Sequence, residues 1–205
     1  MTYACIHCGY PHTYLLGNAQ RKCTACRRKF SVRKVEREAT LRAWFDRGES
    51  ARHTAEQTRM HLATVLRYFE QFRREVAWES EEMYRAHAHD VSEYDEYFYL
   101  PASLKPADNI DKIRHFLTLA YGERVYNLIL PDVRRYATPE ADNQRLMKYL
   151  RYSKVAKLTS EHTPITEFWD FFEHFMTRFR GVSEAQFGLY LKEAEWRFNV
   201  SRGLF

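Results

Sequence analysis

Cysteine is absent from this 205-residue chain after position 26, and no apolar run approaches the ~20 residues that would span a bilayer. Charged residues interrupt every such run, so a transmembrane protein is not expected. The opening residues, Met1-Thr-Tyr-Ala-Cys5, lack a basic stretch followed by an apolar one, so no secretory signal is expected and the cytoplasm is the expected compartment. Acid is missing from residues 1–35, which hold seven Lys and Arg (Arg21, Lys22, Arg27, Arg28, Lys29, Arg33 and Lys34), a charge of +7. Residues 36–78 are nearly balanced at +1, and residues 79–100 reach −6. The overall charge of +5 averages over this segregation. A basic block without acids is the footprint of a polyanion-binding module, with a solvated basic face as the plainer alternative. Apolar residues are plentiful at 45%, and the 14 Tyr, 14 Phe and 4 Trp are enough for a packed core, which excludes disorder over the whole chain. The length allows one medium domain or two small ones.

The four cysteines stand as Cys5-Ile-His-Cys8 and Cys23-Thr-Ala-Cys26. Two CxxC pairs at this spacing form the zinc-ribbon arrangement, in which each tight knuckle aims two thiolates at one point and completes a tetrahedral sulfur set for Zn²⁺. Gly9 suits the turn that follows the first pair, and Arg27, Arg28 and Lys29 fall on the rim of the second. Two disulfides are the alternative, which a reducing compartment disfavours. His7 and His12 could stand in as ligands but read as surface residues beside four thiols. A ribbon over residues 1–35 has almost no apolar core, so the metal is expected to fold it.

From Glu36 the pattern turns helical, with Leu41, Trp44 and Phe45 on one face and a stop at Gly48. Ser50 reads as the cap of a short helix to about Gln57, and Thr58-Arg-Met-His61 as a turn. Leu62, Val65, Phe69 and Phe72 form the inward stripe of a third helix running into Arg73 and Arg74. Residues 36–78 therefore read as a helix-turn-helix. If its third helix enters a major groove, Arg59, His61, Thr64, Arg67 and Gln71 face outward to double-stranded DNA. An ordinary three-helix bundle with a polar face is the alternative.

An acidic helical connector is expected over residues 79–90, with His87 and His89 solvated or able to hold a metal. Val91–Leu100 reads as a strand that puts Asp95 on the face of Glu93, Tyr97 and Tyr99. A loop follows to Asp111. His115–Tyr121 and Val125–Leu130 read as a hairpin turning at Gly122-Glu123. A helix is expected from Thr138-Pro139-Glu140 to about Arg151, then a strand over Lys154–Thr159. A long helix over about Ile165–Arg180 ends at Gly181, and Ser183 with Gln186 reads as a capping box for a last helix to about Asn199. The fold class is α+β, and residues 91–205 have the strand and helix order of a small, shortened ribonuclease-H-like domain. Phe168, Trp169, Phe171, Phe172, Phe175 and Phe179 read as core and dimer surface, so a homodimer or higher homo-oligomer is expected. A stacking platform for single-stranded DNA is the alternative use of these aromatics.

The run Phe179-Arg-Gly-Val-Ser183, followed by Tyr190-Leu-Lys-Glu-Ala-Glu-Trp-Arg-Phe-Asn199, resembles the C-terminal signature of bacterial insertion-sequence transposases that carry a zinc ribbon ahead of a DDE domain. The cysteine pairs, the helix-turn-helix, the strand with Tyr94-Asp95-Glu96 and the helix around Phe168-Trp169 follow that family's order over nearly the whole chain. The resemblance implies structural Zn²⁺ and three acids that bind Mg²⁺ for phosphoryl transfer on mobile-element ends. Asp95 matches the first acid. Glu161 stands where the second, an Asp, is expected. Thr166 occupies the third position, and Glu167 lies one residue along, about 100° round an ideal helix. Asp132, in a Pro-Asp turn, has no catalytic role in the resemblance. The resemblance thus implies a transposase or transposase-derived DNA-binding protein, with Asp95, Glu161 and Glu167 as its altered catalytic set. The alternatives are a catalytically inactive, zinc-dependent DNA-binding regulator and a transcription regulator whose second half binds a ligand or partner.

Overall fold

A computed structural model describes residues 3–101, 104, 112–131, 162–179 and 181–203. The chain is mixed α+β and forms two compact units, Met1–Phe72 and Arg73–Phe205. Among the described residues no helix is long and apolar enough to cross a membrane.

The first unit begins with three short antiparallel strands in the order β1 (Thr13–Leu15), β2 (Gln20–Cys23), β3 (Lys29–Ser31). Beside these strands Cys5, Cys23 and Phe30 form a small buried cluster, with Tyr3, Cys26 and Val35 packed against it. The chain passes directly from β3 into α1 (Val32–Asp46), because the Ser31 side chain accepts the Lys34 N–H and caps the helix. The helix therefore starts four residues before the expected Glu36, and the ribbon boundary drawn at 35/36 falls inside it. Ser50 caps α2 (Ala51–Thr58) as expected, its side chain accepting the His53 N–H. That helix ends at Arg59, whose left-handed backbone (φ +53°) reverses the chain toward α3 (Leu62–His87). Leu41, Phe45, Ala55, Val65, Phe69 and Phe72 are buried together, with Phe45 edge-on to Phe69 at 5.3 Å. Leu62, expected on the inward stripe, is instead 37% exposed: at the first position of α3 it precedes the turn where Val65 meets the core.

The expected acidic connector is not a separate element. α3 continues without a break to His87, followed by a 3-10 turn over Ala88–Asp90, and the boundary drawn at 78/79 lies within this helix. Glu81, Glu82 and Arg85 sit three and four residues apart and form ion pairs along it, which offsets the local excess of acid.

The second unit is built on an antiparallel sheet in the order β4 (Val91–Tyr99), β5 (Arg114–Tyr121), β6 (Arg124–Ile129). The β5–β6 hairpin turns at Gly122-Glu123 as expected, with Gly122 at φ +59°. A register shift between Val91 and Glu93 sets Asp95 opposite Thr118, and Thr118 opposite Asn127. One face of the sheet carries Tyr97, Tyr99, Phe116 and Val125 into a core with Phe168, Trp169 and Phe172 of α4 (Pro164–Met176). Phe187, Leu191 and Phe198 of α5 (Glu184–Ser201) complete it. The opposite face, with Leu119, Tyr121 and Tyr126, receives Tyr84 of α3, whose ring stacks on Tyr126 at 4.0 Å.

Two expectations for the helices change. α4 ends at Met176, with Thr177 as its C-cap, short of Arg180. The Ser183–Gln186 capping box does not form, because the Ser183 side chain makes no cap bond and the Gln186 N–H goes to the Ser183 carbonyl. The helix expected from Thr138, the strand Lys154–Thr159, Asp132 and Glu161 lie outside the described residues.

Candidate metal centre and nucleic-acid interface

The two knuckles are built alike. After the first, Gly9 takes φ +70° and its N–H donates to the Cys5 carbonyl at 2.8 Å. After the second, Arg27 takes φ +60°, and the Cys23 N–H donates to the Arg28 carbonyl at 3.0 Å. The same left-handed residue is thus met by glycine once and by arginine once. These turns gather the four sulfurs within 4.8 Å of one another, with Cys5 to Cys26 at 3.6 Å and Cys8 to Cys23 at 3.7 Å. A disulfide would need about 2.05 Å. A tetrahedron with Zn–S of about 2.3 Å has edges near 3.8 Å, so the thiols are free and spaced for a metal.

Electrostatics divides the thiols. Burial pushes Cys23 up, but the N–H groups of Cys26 and Ala25 and the neighbouring thiols outweigh it and lower it to about 7. The Arg28 N–H lowers Cys26, yet desolvation and the crowding of the other three thiols raise it to about 11. Four thiols this close cannot all ionise without a cation among them, and a divalent metal supplies that charge. His7 and His12 lie outside the sulfur cluster: the His7 ring faces the Lys29 carbonyl at 3.3 Å, and His12 meets Tyr10. Among the described residues, only the four cysteines group three or more metal-ligating side chains.

Arg27, Arg28 and Lys29 are exposed on the rim of the second knuckle. Of the outward set in the helical part, Arg59, His61, Arg67 and Gln71 are exposed and Thr64 is half-buried. The His61 ring also meets the Ala63 N–H at 3.3 Å at the start of α3, and the Arg67 guanidinium lies 5.7 Å from the Tyr68 ring centre. These residues occupy the turn and the exposed side of α3, opposite the buried Val65, Phe69 and Phe72.

The carboxylates are not brought together in the same way. Asp95 is half-buried in β4, with its Oδ1 accepting the Glu96 N–H at 2.7 Å. Thr166 is committed to the start of α4: its hydroxyl accepts the Thr163 N–H at 3.0 Å, while the Thr163 hydroxyl accepts the Thr166 N–H at 3.3 Å. Threonine therefore makes a capping box where the transposase resemblance has an acid. Glu167 is ion-paired with Arg202, which also holds Glu123 at 3.1 Å. His87 and His89 both pair with Asp90.

Sequence reasoning missed the buried polar chain at the centre of the second unit. Trp169 Nε1–H donates to Thr118 Oγ1 at 2.9 Å, and that hydroxyl donates to Asn127 Oδ1 at 2.7 Å. Glu195 Oε2 accepts both the Asn127 backbone N–H at 2.7 Å and its side-chain amide at 3.0 Å. Lys192 Nζ donates to the two Glu195 oxygens at 3.0 and 2.9 Å and lies 3.3 Å from the Tyr126 ring centre. Burial pulls Lys192 below the ordinary lysine range and pushes Glu195 above the ordinary glutamate range. Asn199 exchanges two bonds of 3.0 Å with the Val125 backbone, so α5 satisfies the outer edge of β6 with side chains. The sequence signal was a helix carrying Glu193, Glu195 and Asn199 on faces that also bear Leu191, Ala194 and Phe198. Polar residues threaded through an apolar helix mark partners on more than one side.

The chain was compared with protein-family models, with curated proteins and with solved structures, and none of them matches it.

Proposed function

We infer that this chain is a zinc-dependent protein that binds double-stranded DNA and is related to insertion-sequence transposases, with mobile-element ends as its target. The observation that carries this reading is the first unit: a four-thiol cluster with an acid-free basic rim, followed by a three-helix unit whose exposed turn and third helix present Arg59, His61, Arg67 and Gln71. Phosphate contacts from the rim would supply affinity and the third helix would read bases. The four cysteines would hold the Zn²⁺, whose part is to fold the ribbon. For the second unit, three antiparallel strands with Asp95 in the first, followed by a tryptophan-bearing helix, support descent from a ribonuclease-H-like core.

The residues at the acidic positions favour a scaffold role for that core. Thr166 is used as a cap and Glu167 is held by Arg202, so a Mg²⁺ set of Asp95, Glu161 and Glu167 would require Glu167 to leave its partner. The test is a binding, cleavage and strand-transfer assay on DNA carrying the gene's own flanks, with Mg²⁺ or Mn²⁺. Zinc-dependent binding without nicks is the expected outcome. Metal-dependent nicks that vanish in Asp95→Ala would establish catalysis, and absence of binding would overturn the reading altogether.

A further inference from the structure

We propose that Leu62 and Leu66, in the first two turns of α3, contact thymine methyl groups in the major groove and so make the preferred DNA site depend on thymine at the positions they face. The proposal rests on the DNA-binding reading and names the base that this surface selects. Val65, Phe69 and Phe72 bury the inner side of α3, while Leu62 is 37% and Leu66 46% exposed. At 100° per residue the two leucines lie about 40° apart on one side, and Ala63 and Arg67, both exposed, follow within the next 100°. Arg59 and His61 precede them in the turn, exposed. Within the first three turns of α3, the acid on this side is Glu70, which is half-buried.

The surroundings of the leucines decide the occupant. A second copy of the chain would bring the same Arg59 and Arg67 against their own kind, whereas a duplex supplies phosphates for them. Within the groove, the C5-methyl of thymine is the apolar feature of the base edges, and aliphatic side chains recognise it by contact. The N-terminal turns of the third helix are the ones that meet base edges in this arrangement. Each methyl buried against leucine is worth about a fourfold change in affinity.

The experiment uses the zinc-loaded full chain. A duplex is selected from a random library, then synthesised again with deoxyuridine for thymine, one position at a time, which removes the methyl and nothing else. Binding about fourfold weaker at one or two positions is expected. Leu66→Ala and Leu62→Ala should each bind the thymine and uracil duplexes equally at one of those positions, with random-duplex affinity and circular dichroism unchanged. Equal binding of thymine and uracil duplexes by the unaltered chain would overturn the proposal while leaving DNA binding intact. Failure to select or retain any duplex would overturn the DNA reading itself. A change in self-association in Leu66→Ala, with DNA binding unaffected, would assign the leucines to a second copy and also overturn the proposal.

Discussion

Replacing Glu195 by alanine tests the buried polar chain most directly. The carboxylate accepts two donor contacts from Lys192 at 2.9 and 3.0 Å and two from Asn127 at 2.7 and 3.0 Å. Its removal leaves the largely buried Lys192 ammonium without its hydrogen-bonded counter-charge and with only the more distant Glu81 acting on it, which costs about 3–5 kcal/mol. The orphaned Asn127 N–H adds a further ~1–3 kcal/mol, which brings the loss to about 4–8 kcal/mol. At roughly 2–4 °C per kcal/mol for a chain of this size, the melting transition of the second unit should fall by about 8–30 °C. Urea unfolding followed by circular dichroism would measure it on the zinc-loaded chain. The companion Lys192→Met, Glu195→Leu removes both charges and should keep only the Asn127 deficit, about 1–3 kcal/mol. A loss below about 1 kcal/mol in Glu195→Ala, or a double variant no more stable than the single one, would refute the reasoning.

Three further outcomes are expected. Cys8→Ser should abolish stoichiometric zinc binding and the ordered ribbon, as read by metal analysis and chelator-dependent circular dichroism; one retained ion per chain would count against the four-thiol site. Arg27→Gly should leave the ribbon equally or more stable, because a left-handed arginine stores strain of about 1 kcal/mol, while the salt dependence of DNA binding falls by about one phosphate contact; an unchanged salt slope would remove Arg27 from the interface. Glu81 is held below the ordinary glutamate range chiefly by the Tyr126 hydroxyl, so its contribution to stability is present above that range and lost as pH falls through its lowered value. Glu81→Gln should therefore flatten the acid limb of the stability profile, and an unaltered limb would show that the bond does not form in solution.

The cysteine knuckles, the positions of α2, the β5–β6 hairpin and the outward set on α3 were legible in the sequence because each rests on local rules. CxxC spacing, a serine cap, a Gly-containing turn and a 3.6-residue period need no distant partner. Leu62 was misread because periodicity alone cannot say where along a helix the core begins to cover it. The connector was misread for a similar reason: the acidic composition of residues 79–90 suggested a change of element, but intrahelical pairs to Arg85 and the stacking of Tyr84 on Tyr126 carry α3 through it. The candidate carboxylates show the limit most clearly. Thr166 and Glu167 could be named from the transposase resemblance, but not that one makes a cap and the other is taken by Arg202.

By itself, then, the sequence determined the four-cysteine cluster that could hold a metal and the basic, helical character of the first unit, since thiols and charges close in sequence have little choice of partner. Only the tertiary structure decided the buried chain from Trp169 to Lys192. A glutamate at position 195 reads as a solvent-facing helix residue until β6 presents it with an edge N–H and an asparagine, and burial then fixes its partners because no water remains to replace them.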